Sequence, residues 1–256
     1  MTRSVDLNSD MGEGFGPWRM GDDAALLDIV TSANIACGFH AGDPDVMAKT
    51  MGLAVEKGVQ IGAHPGFPDL QGFGRYRMNL PVPVIQNAIR YQIGAAQAMA
   101  RAAGGQVTYV KLHGALSNMC SEDQALATAC YDAALSVDPD LTMMVLAATP
   151  MQTAVEALGC NWVGEIFADR AYNDDATLVD RSLPGAVLHD ADIVGQRMVQ
   201  MVSEGAIITE SGKRIETRID TICLHGDTPA AVILAQSVRG ALQMAGFGVR
   251  AFAGKS

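Results

Sequence analysis

The hydrophobic positions of this chain fall into two patterns that alternate along its length. Apolar runs of four to eight residues are separated by segments in which apolar residues recur every three or four positions. Runs of the first kind are typical of buried strands, and segments of the second kind are typical of amphipathic helices. The runs predict strands near residues 4–7, 32–37, 59–63, 107–112, 141–147, 162–167 and 220–224. Their alternation with helices predicts a parallel sheet covered by helices.

Four helices have recognisable ends in the sequence. Asp43 is a suitable N-cap before Pro44, and Gly58 predicts the end of that helix. The other three helices are predicted from about Pro83 to Gly104, from Asp190 to Gly205, and after Pro229. Segments 66–80 and 168–187 lack helical periodicity and are predicted as long loops over the strand ends, and residues 206–217 are predicted as a small hairpin.

These elements favour an α/β fold, namely a (β/α) barrel of about seven parallel strands. A length of 256 residues suits a single barrel domain spanning residues 1–256. An open, doubly wound sheet is the alternative. Hydrophobic residues make up 49% of the chain, so a domain of this size can bury a full core without disulfides.

Composition excludes several classes of partner. The net charge of −10 and the lack of a basic stripe argue against nucleic acid and against anionic membrane surfaces. No apolar run approaches the ~18 residues of a membrane span, and no signal-peptide core is recognisable. The five cysteines include no Cys-x-x-Cys pair, which predicts free thiols in a reducing compartment, with Cys37 and Cys223 as small buried residues. We therefore expect a cytoplasmic protein.

Four of the five histidines follow apolar runs and lie in glycine-rich turns: His40, His64, His113 and His225. Loops that follow the strands of a parallel barrel meet at one face, so we expect these side chains to share a cavity. One such histidine alone would as readily be a hydrogen-bonded structural residue, but four together favour catalysis. His189 lies outside a glycine turn and is interpreted as structural.

Charged and amide residues accompany these histidines. Asp6, Asn8 and Asp10 alternate, so an extended backbone points all three the same way, and burying them without partners would cost several kcal/mol. Lys111 stands in an apolar run and must meet a carboxylate or a ligand. Arg75, in the loop at 66–80, is either a solvated charge or a cavity residue.

Several common sites are missing from the sequence. It contains no Gly-x-x-x-x-Gly-Lys-Ser/Thr loop, no Gly-x-Gly-x-x-Gly after a strand, no Gly-x-Ser-x-Gly and no His-Glu-x-x-His. A metal site could still assemble from separate strands. In that alternative, Asp10, His40 and His64 would be the ligands of a deacetylase-like hydrolase of C–N bonds.

Seven segments, taken in order, resemble the LamB/YcsF family. They are Asp6–Glu13, Ser32–Asp43, Gly62–Pro65, Gly72–Arg75, Lys111–Ala115, Glu165–Arg170 and His225–Asp227. The resemblance implies a barrel related to the glycoside hydrolase/deacetylase superfamily. It also implies ATP-dependent hydrolytic opening of 5-oxo-L-proline, a lactam, to L-glutamate, jointly with the 5-oxoprolinase subunits B and C. ATP would be the cosubstrate, with Mg²⁺ held through those partners, and no tightly bound cofactor is implied.

This interpretation assigns two groups of site residues. The catalytic candidates are Asp10, His40, His64, Lys111 and His113. The candidates for binding substrate or phosphate are Asp6, Asn8, Glu13, Asn34, Asp43, Arg75, His225 and Asp227. The chain departs from the family pattern at Tyr76, Leu112 and Ser117, where a cation, a proline and a tyrosine are usual. A protein that binds the lactam for its partners without catalysing its hydrolysis is the remaining alternative.

Overall fold

The computed structural model describes residues 3–225 and 231–253. Its strands are β1 (Ser4–Met11), β2 (Ser32–Ala36), β3 (Gln60–His64), β4 (Val107–Lys111), β5 (Thr142–Leu146), β6 (Trp162–Phe167), β7 (Ala206–Ile208), β8 (Arg214–Glu216), β9 (Thr221–Leu224) and β10 (Gly248–Val249). Strands β1 to β6 pair in order, and β9 pairs with both β6 and β1. Within the described ranges this closes a barrel of seven parallel strands, which confirms the predicted barrel over the open sheet. Strand β10 pairs with the start of β1, and β7 and β8 form the predicted hairpin.

Helices cover the outside of the barrel. They are α1 (Asp23–Leu26), α2 (Pro44–Lys57), α3 (Val82–Ala102), α4 (Gly114–Glu122), α5 (Gln124–Leu135), α6 (Pro150–Leu158), α7 (Ala191–Glu204) and α8 (Ala231–Met244). The predicted caps of α2 are confirmed, since Asp43 accepts hydrogen bonds from two first-turn amides and Gly58 adopts a left-handed conformation. Across the described residues, no helix has the length and apolar content to cross a membrane.

Four of these helices, α1, α4, α5 and α6, were not predicted. Helix α5 is rich in alanine and packs against α3, α4 and α6. A helix covered on several sides has no single apolar stripe, so periodicity does not reveal it. Helices α1, α4 and α6 are only 4, 9 and 9 residues long, which leaves few turns in which a pattern can repeat.

Strand β1 continues four residues beyond its predicted end at Leu7. The alternating side chains Leu7 and Met11 join the core between the barrel and the helices, whereas Asn8 and Asp10 face the barrel interior. Polar residues can extend a buried strand here because they find partners. Asn34 of β2 donates to Asn8 Oδ1 at 2.7 Å and to Asp10 Oδ1 at 2.8 Å.

One glycine allows the barrel to hold a tyrosine. The ring of Tyr109 lies against Gly62 of the neighbouring strand, where a Cβ atom would be 2.1 Å from Tyr109 Cε2. The Tyr109 hydroxyl donates to Asn34 Oδ1 at 2.8 Å. Below this ring, the barrel is filled by Met144 and Val163, with Phe252 packed against them. The end of the barrel at which the strands begin is therefore closed by side chains.

Candidate active site

A cavity of about 500 Å³ opens where the barrel strands end. We call this end of the barrel the active face. Side chains from β1, β3, β4 and β6 lie at the base of the cavity, and the predicted loops at 66–80 and 168–187 contribute its walls. The predicted site residues that line it are Asp10, Glu13, His64, Arg75, Lys111, His113 and His225.

Lys111 lies between two carboxylates at the base of the cavity. Its Nζ is 3.0 Å from Asp10 Oδ1 and 2.9 Å from Glu165 Oε1, and all three side chains are buried. This confirms that the lysine meets a carboxylate. Cys223, predicted only as a small buried residue, has its sulfur 2.9 Å from the same ammonium group.

The charges of this cluster support one another. Burial alone would lower the pKa of Lys111, but the carboxylates of Asp10 and Glu165 hold that pKa well above its usual value. Burial would raise the pKa of Asp10, but His64 and Lys111 hold it well below its usual value. Burial raises the pKa of Glu165, and Lys111 only partly opposes that shift. Asp10 is therefore the firmly ionised carboxylate of the pair.

Hydrogen bonds to backbone carbonyls show which ring nitrogen carries hydrogen in two of the histidines. His64 Nδ1 lies 2.8 Å from the Lys111 carbonyl oxygen, and His113 Nε2 lies 2.8 Å from that of Phe73. Since a carbonyl only accepts, both nitrogens carry hydrogen. The other two nitrogens, His64 Nε2 and His113 Nδ1, face each other at 3.0 Å. Either a proton or another positive ion is needed between them, and His64 Nε2 is also 3.4 Å from Asp10 Oδ2.

His40 does not line the cavity, contrary to our expectation. Its side chain is fully buried, and its ring stacks on that of His113 with centroids 3.6 Å apart. Among the described residues, neither ring nitrogen has a hydrogen-bond partner. Burial and the neighbouring histidines lower the pKa of His40 well below its usual value, and burial lowers the pKa of His113 to about 3. Both rings are therefore kept neutral.

The sequence predicted His225 on the active face but did not predict its two charged partners. His225 Nδ1 lies 2.8 and 2.7 Å from the carboxylate oxygens of Asp169, so this nitrogen donates and His225 Nε2 keeps its lone pair. Arg181, from the loop at 168–187, reaches that nitrogen at 2.7 Å. Burial would raise the pKa of Asp169, but His225 holds it below its usual value. A carboxylate that orients a histidine in this way is a frequent feature of general bases.

Several predicted binding residues lie away from the cavity. Asp6 is buried deeper in the barrel, where it accepts hydrogen bonds from the hydroxyls of Thr31, Ser32 and Thr221. Asn8 and Asn34 are fully buried in the layer between Asp6 and Asp10. Asp43 caps α2 and also accepts from the Gly16 amide at 2.6 Å, so its carboxylate is occupied. Asp227 lies outside the described residues.

Four arginines lie around the cavity, together with four carboxylates that also line it. Arg75 and Arg77 come from the loop at 66–80, and Arg170 and Arg181 from the loop at 168–187. Arg77 forms a salt bridge with Glu122. Arg170 donates to two carbonyls of its own loop and so stabilises that loop. These guanidinium groups could serve as hydrogen-bond donors to an anionic ligand.

The predicted family and fold find support among known proteins. The sequence model of the LamB/YcsF family matches residues 5–256. A protein from Ruegeria pomeroyi, named as the A subunit of 5-oxoprolinase, is 69% identical over 252 residues, which cover 98% of this chain and 99% of that protein.

Two solved structures are similar. A lactam utilization protein from Thermus thermophilus superposes with a TM-score of 0.91 and 40% identity, covering 97% of this chain and 100% of that chain. The catalytic domain of a peptidoglycan N-acetylglucosamine deacetylase from Eubacterium rectale matches with a TM-score of 0.53 and 11% identity, covering 99% of this chain and 90% of that one. This second likeness concerns the fold alone.

Proposed function

The chain belongs to the LamB/YcsF family, and we propose that it is the A subunit of a 5-oxoprolinase that opens 5-oxo-L-proline to L-glutamate. The relative from Ruegeria pomeroyi that carries this name shares 69% of its residues over nearly the whole chain, which supports the assignment. The observation in the structure that supports it best is the buried ammonium of Lys111 between two carboxylates, beside an oriented histidine. Such a group of charges suits hydrolysis of a small polar substrate better than simple binding.

The chemistry of the substrate explains why ATP is expected. The lactam is an unactivated amide, and phosphorylation of its oxygen makes the ring carbon electrophilic. Water then adds to that carbon, and the C–N bond breaks as the nitrogen takes a proton. The acyl phosphate that results is hydrolysed to glutamate and phosphate. We assign ATP, with Mg²⁺, to a reaction carried out with subunits B and C, because no phosphate-binding loop occurs in this sequence.

We assign three roles on the active face. His225 is the general base, because Asp169 fixes its Nδ1 proton and leaves Nε2 with a lone pair. Lys111 stabilises the negative charge that develops on oxygen or phosphate. The guanidinium group of Arg181 must leave His225 before the base can act, and the carboxylate of the substrate is a suitable new partner for it.

The positions that depart from the family pattern bear on substrate size. Leu112 and Ser117 line the cavity, whereas Tyr76 is exposed. A serine in place of a tyrosine leaves more room at that wall. We therefore propose that this chain accepts lactams with a small substituent as well as 5-oxoproline.

The test is a glutamate-release assay with the purified chain, the two partner subunits and ATP. We expect turnover with all three subunits and none with this chain alone. Asp10→Asn keeps the shape of the side chain, removes its charge and should abolish turnover. Asp140→Asn, at an exposed position before β5, is the matched control.

The same variants separate catalysis from binding alone. Normal turnover with Asp10→Asn in the complete complex would contradict a catalytic role for this cluster. If the chain only binds the lactam, Asp10→Asn should change the lactam concentration that gives half of the maximal rate and leave the maximal rate itself unchanged.

A further inference from the structure

Four consecutive strands each place one potential metal ligand at the same point of the barrel. Glu13 follows β1, His40 follows β2, His64 ends β3 and His113 follows β4. One ligand atom from each residue lies within 4.8 Å of the other three, and all four residues are buried. The residues are 24 to 100 positions apart in sequence, which explains why no metal-binding motif is visible.

The hydrogen bonds of two of these histidines prepare their free nitrogens for a cation. His64 and His113 each donate one ring N–H to a backbone carbonyl. Metal-binding histidines commonly make this bond, because it fixes the tautomer and the ring orientation. The remaining nitrogens, His64 Nε2 and His113 Nδ1, are 3.0 Å apart, so either a proton or a metal ion must lie between them.

His40 provides independent support. Its two ring nitrogens are buried and have no hydrogen-bond partner within the described ranges, which costs roughly 1–3 kcal/mol for each such group. A proton shared by His64 and His113 would leave His40 without a partner. A metal ion can satisfy all three rings at once.

We propose that Glu13, His40, His64 and His113 bind one divalent first-row metal ion. Three imidazoles and one carboxylate are the donor set that favours Zn²⁺ among the common ions. This set differs from the Asp10, His40 and His64 set that the sequence suggested. The four ligand atoms that lie within 4.8 Å of one another include one from Glu13 and none from Asp10.

Ring orientation makes one further demand. The rings of His40 and His113 are nearly parallel, at 7°, and parallel stacked rings cannot both direct an in-plane lone pair at one ion. Binding must therefore tilt one ring. His113 is held by the Phe73 carbonyl, but no hydrogen bond from the described part of the chain holds the ring of His40, so His40 is the ring that turns.

The first experiment uses the wild-type chain without substrate, so it does not depend on the proposed function. The protein is stripped with a chelator, equilibrated with Zn²⁺ and passed through a desalting column. We expect about one zinc per chain and a higher melting temperature than for the stripped protein. X-ray absorption should show nitrogen and oxygen neighbours at about 2.0–2.2 Å. Absence of stoichiometric zinc in the wild-type chain would overturn the proposal.

The second experiment locates the ion. We expect Glu13→Gln and His40→Gln each to weaken Zn²⁺ binding by at least about 10–100-fold. Removing a residue that only hydrogen-bonds to a metal ligand already causes a loss of this size. The exposed His189→Gln is the matched control and should bind as the wild type does. Should a variant fail to fold, the X-ray absorption of the wild-type chain still decides the question.

A specific competing site exists in the same cavity. Asp10, Cys223 and His225 also bring three potential ligand atoms within 4.8 Å of one another. A zinc–sulfur distance of about 2.3 Å would assign the ion to Cys223 and overturn the four-residue site. Unchanged zinc affinity in both Glu13→Gln and His40→Gln would also overturn the four-residue site.

Discussion

Replacing Lys111 by methionine tests whether the charged cluster at the base of the cavity is held together by its lysine. Methionine keeps much of the length of the side chain and removes the ammonium group that lies between the buried carboxylates of Asp10 and Glu165. Breaking a buried ion pair by removing one partner costs about 3–5 kcal/mol. For a chain of this size, each kcal/mol lowers the melting temperature by about 2–4 °C, so we expect a decrease of roughly 6–20 °C.

The pH dependence of this variant has a definite sign. The pKa of Glu165 is already raised by burial, and loss of Lys111 removes the charge that opposes this shift. A carboxyl whose pKa is higher in the folded state stabilises the fold while protonated and loses that contribution as pH rises through the folded pKa. Lys111→Met should therefore lose more stability at pH 8 than at pH 5.

A double-mutant cycle identifies the partner. Glu165→Gln in the Lys111→Met background removes one of the two buried carboxylates and should recover part of the lost stability. We expect a coupling energy of about 1–3 kcal/mol from urea unfolding at pH 8. Strictly additive effects, or an unchanged melting temperature for Lys111→Met, would refute the view that this ion pair is energetically important.

Three further predictions concern other parts of the barrel. Asp169→Asn should lower glutamate formation by the three-subunit complex by about 100-fold or more without lowering the melting temperature, and an unchanged rate would exclude His225 as an oriented base. Burial raises the pKa of Asp6 to about 6, so ionisation of this carboxyl should lower the free energy of unfolding by about 3 kcal/mol as pH rises from about 4 to 6. Asp6→Asn should abolish this pH dependence in urea unfolding, and an unaltered pH profile would contradict the prediction. Gly62→Ala would force a methyl group into the Tyr109 ring and should lower the free energy of unfolding by about 1–3 kcal/mol. Gly52→Ala, in α2 with nothing within 4 Å of the added methyl group, should raise it by about 0.5–1 kcal/mol, and equal effects of the two variants would disprove the packing argument.

The sequence predicted the barrel well because buried parallel strands are continuous apolar runs that glycine-rich turns interrupt. All seven barrel strands lie where those runs predicted them. The one large error in strand length, at β1, has a physical reason. Asn8 and Asp10 continue the strand because Asn34 and Lys111 satisfy them from neighbouring strands, and such pairing is not visible in a single segment.

The candidate site was only partly predictable. Lys111 was found because a lone charge in an apolar run needs a partner. The same signal was present for Glu165, which lies within the apolar strand β6, and considering the two together would have suggested the ion pair. Asp169 belongs to the family-like segment Glu165–Arg170, but neither it nor Arg181 gave a signal for its contact with His225, because both lie in an irregular loop.

The polar residues inside the barrel differ in how completely they are satisfied. Deep in the barrel, the Asp6 carboxylate accepts hydrogen bonds from three hydroxyl groups. Asn34 donates a hydrogen bond to Asn8 and accepts one from the Tyr109 hydroxyl. At the active face the pattern changes.

There, His40 has no hydrogen-bond partner among the residues that the structure describes, and His64 Nε2 faces His113 Nδ1 at 3.0 Å. A fold selected only for stability would not keep the His40 ring buried and unsatisfied beside a satisfied network. Local violations of this kind are expected where a protein binds something that its own residues do not supply. The residue types point to a cation at the histidines, and the arginines of the two loops point to an anion above them. A site that holds a cation below an anion is suited to polarising a carbonyl or phosphoryl oxygen, which is the demand that hydrolysis of an unactivated lactam makes.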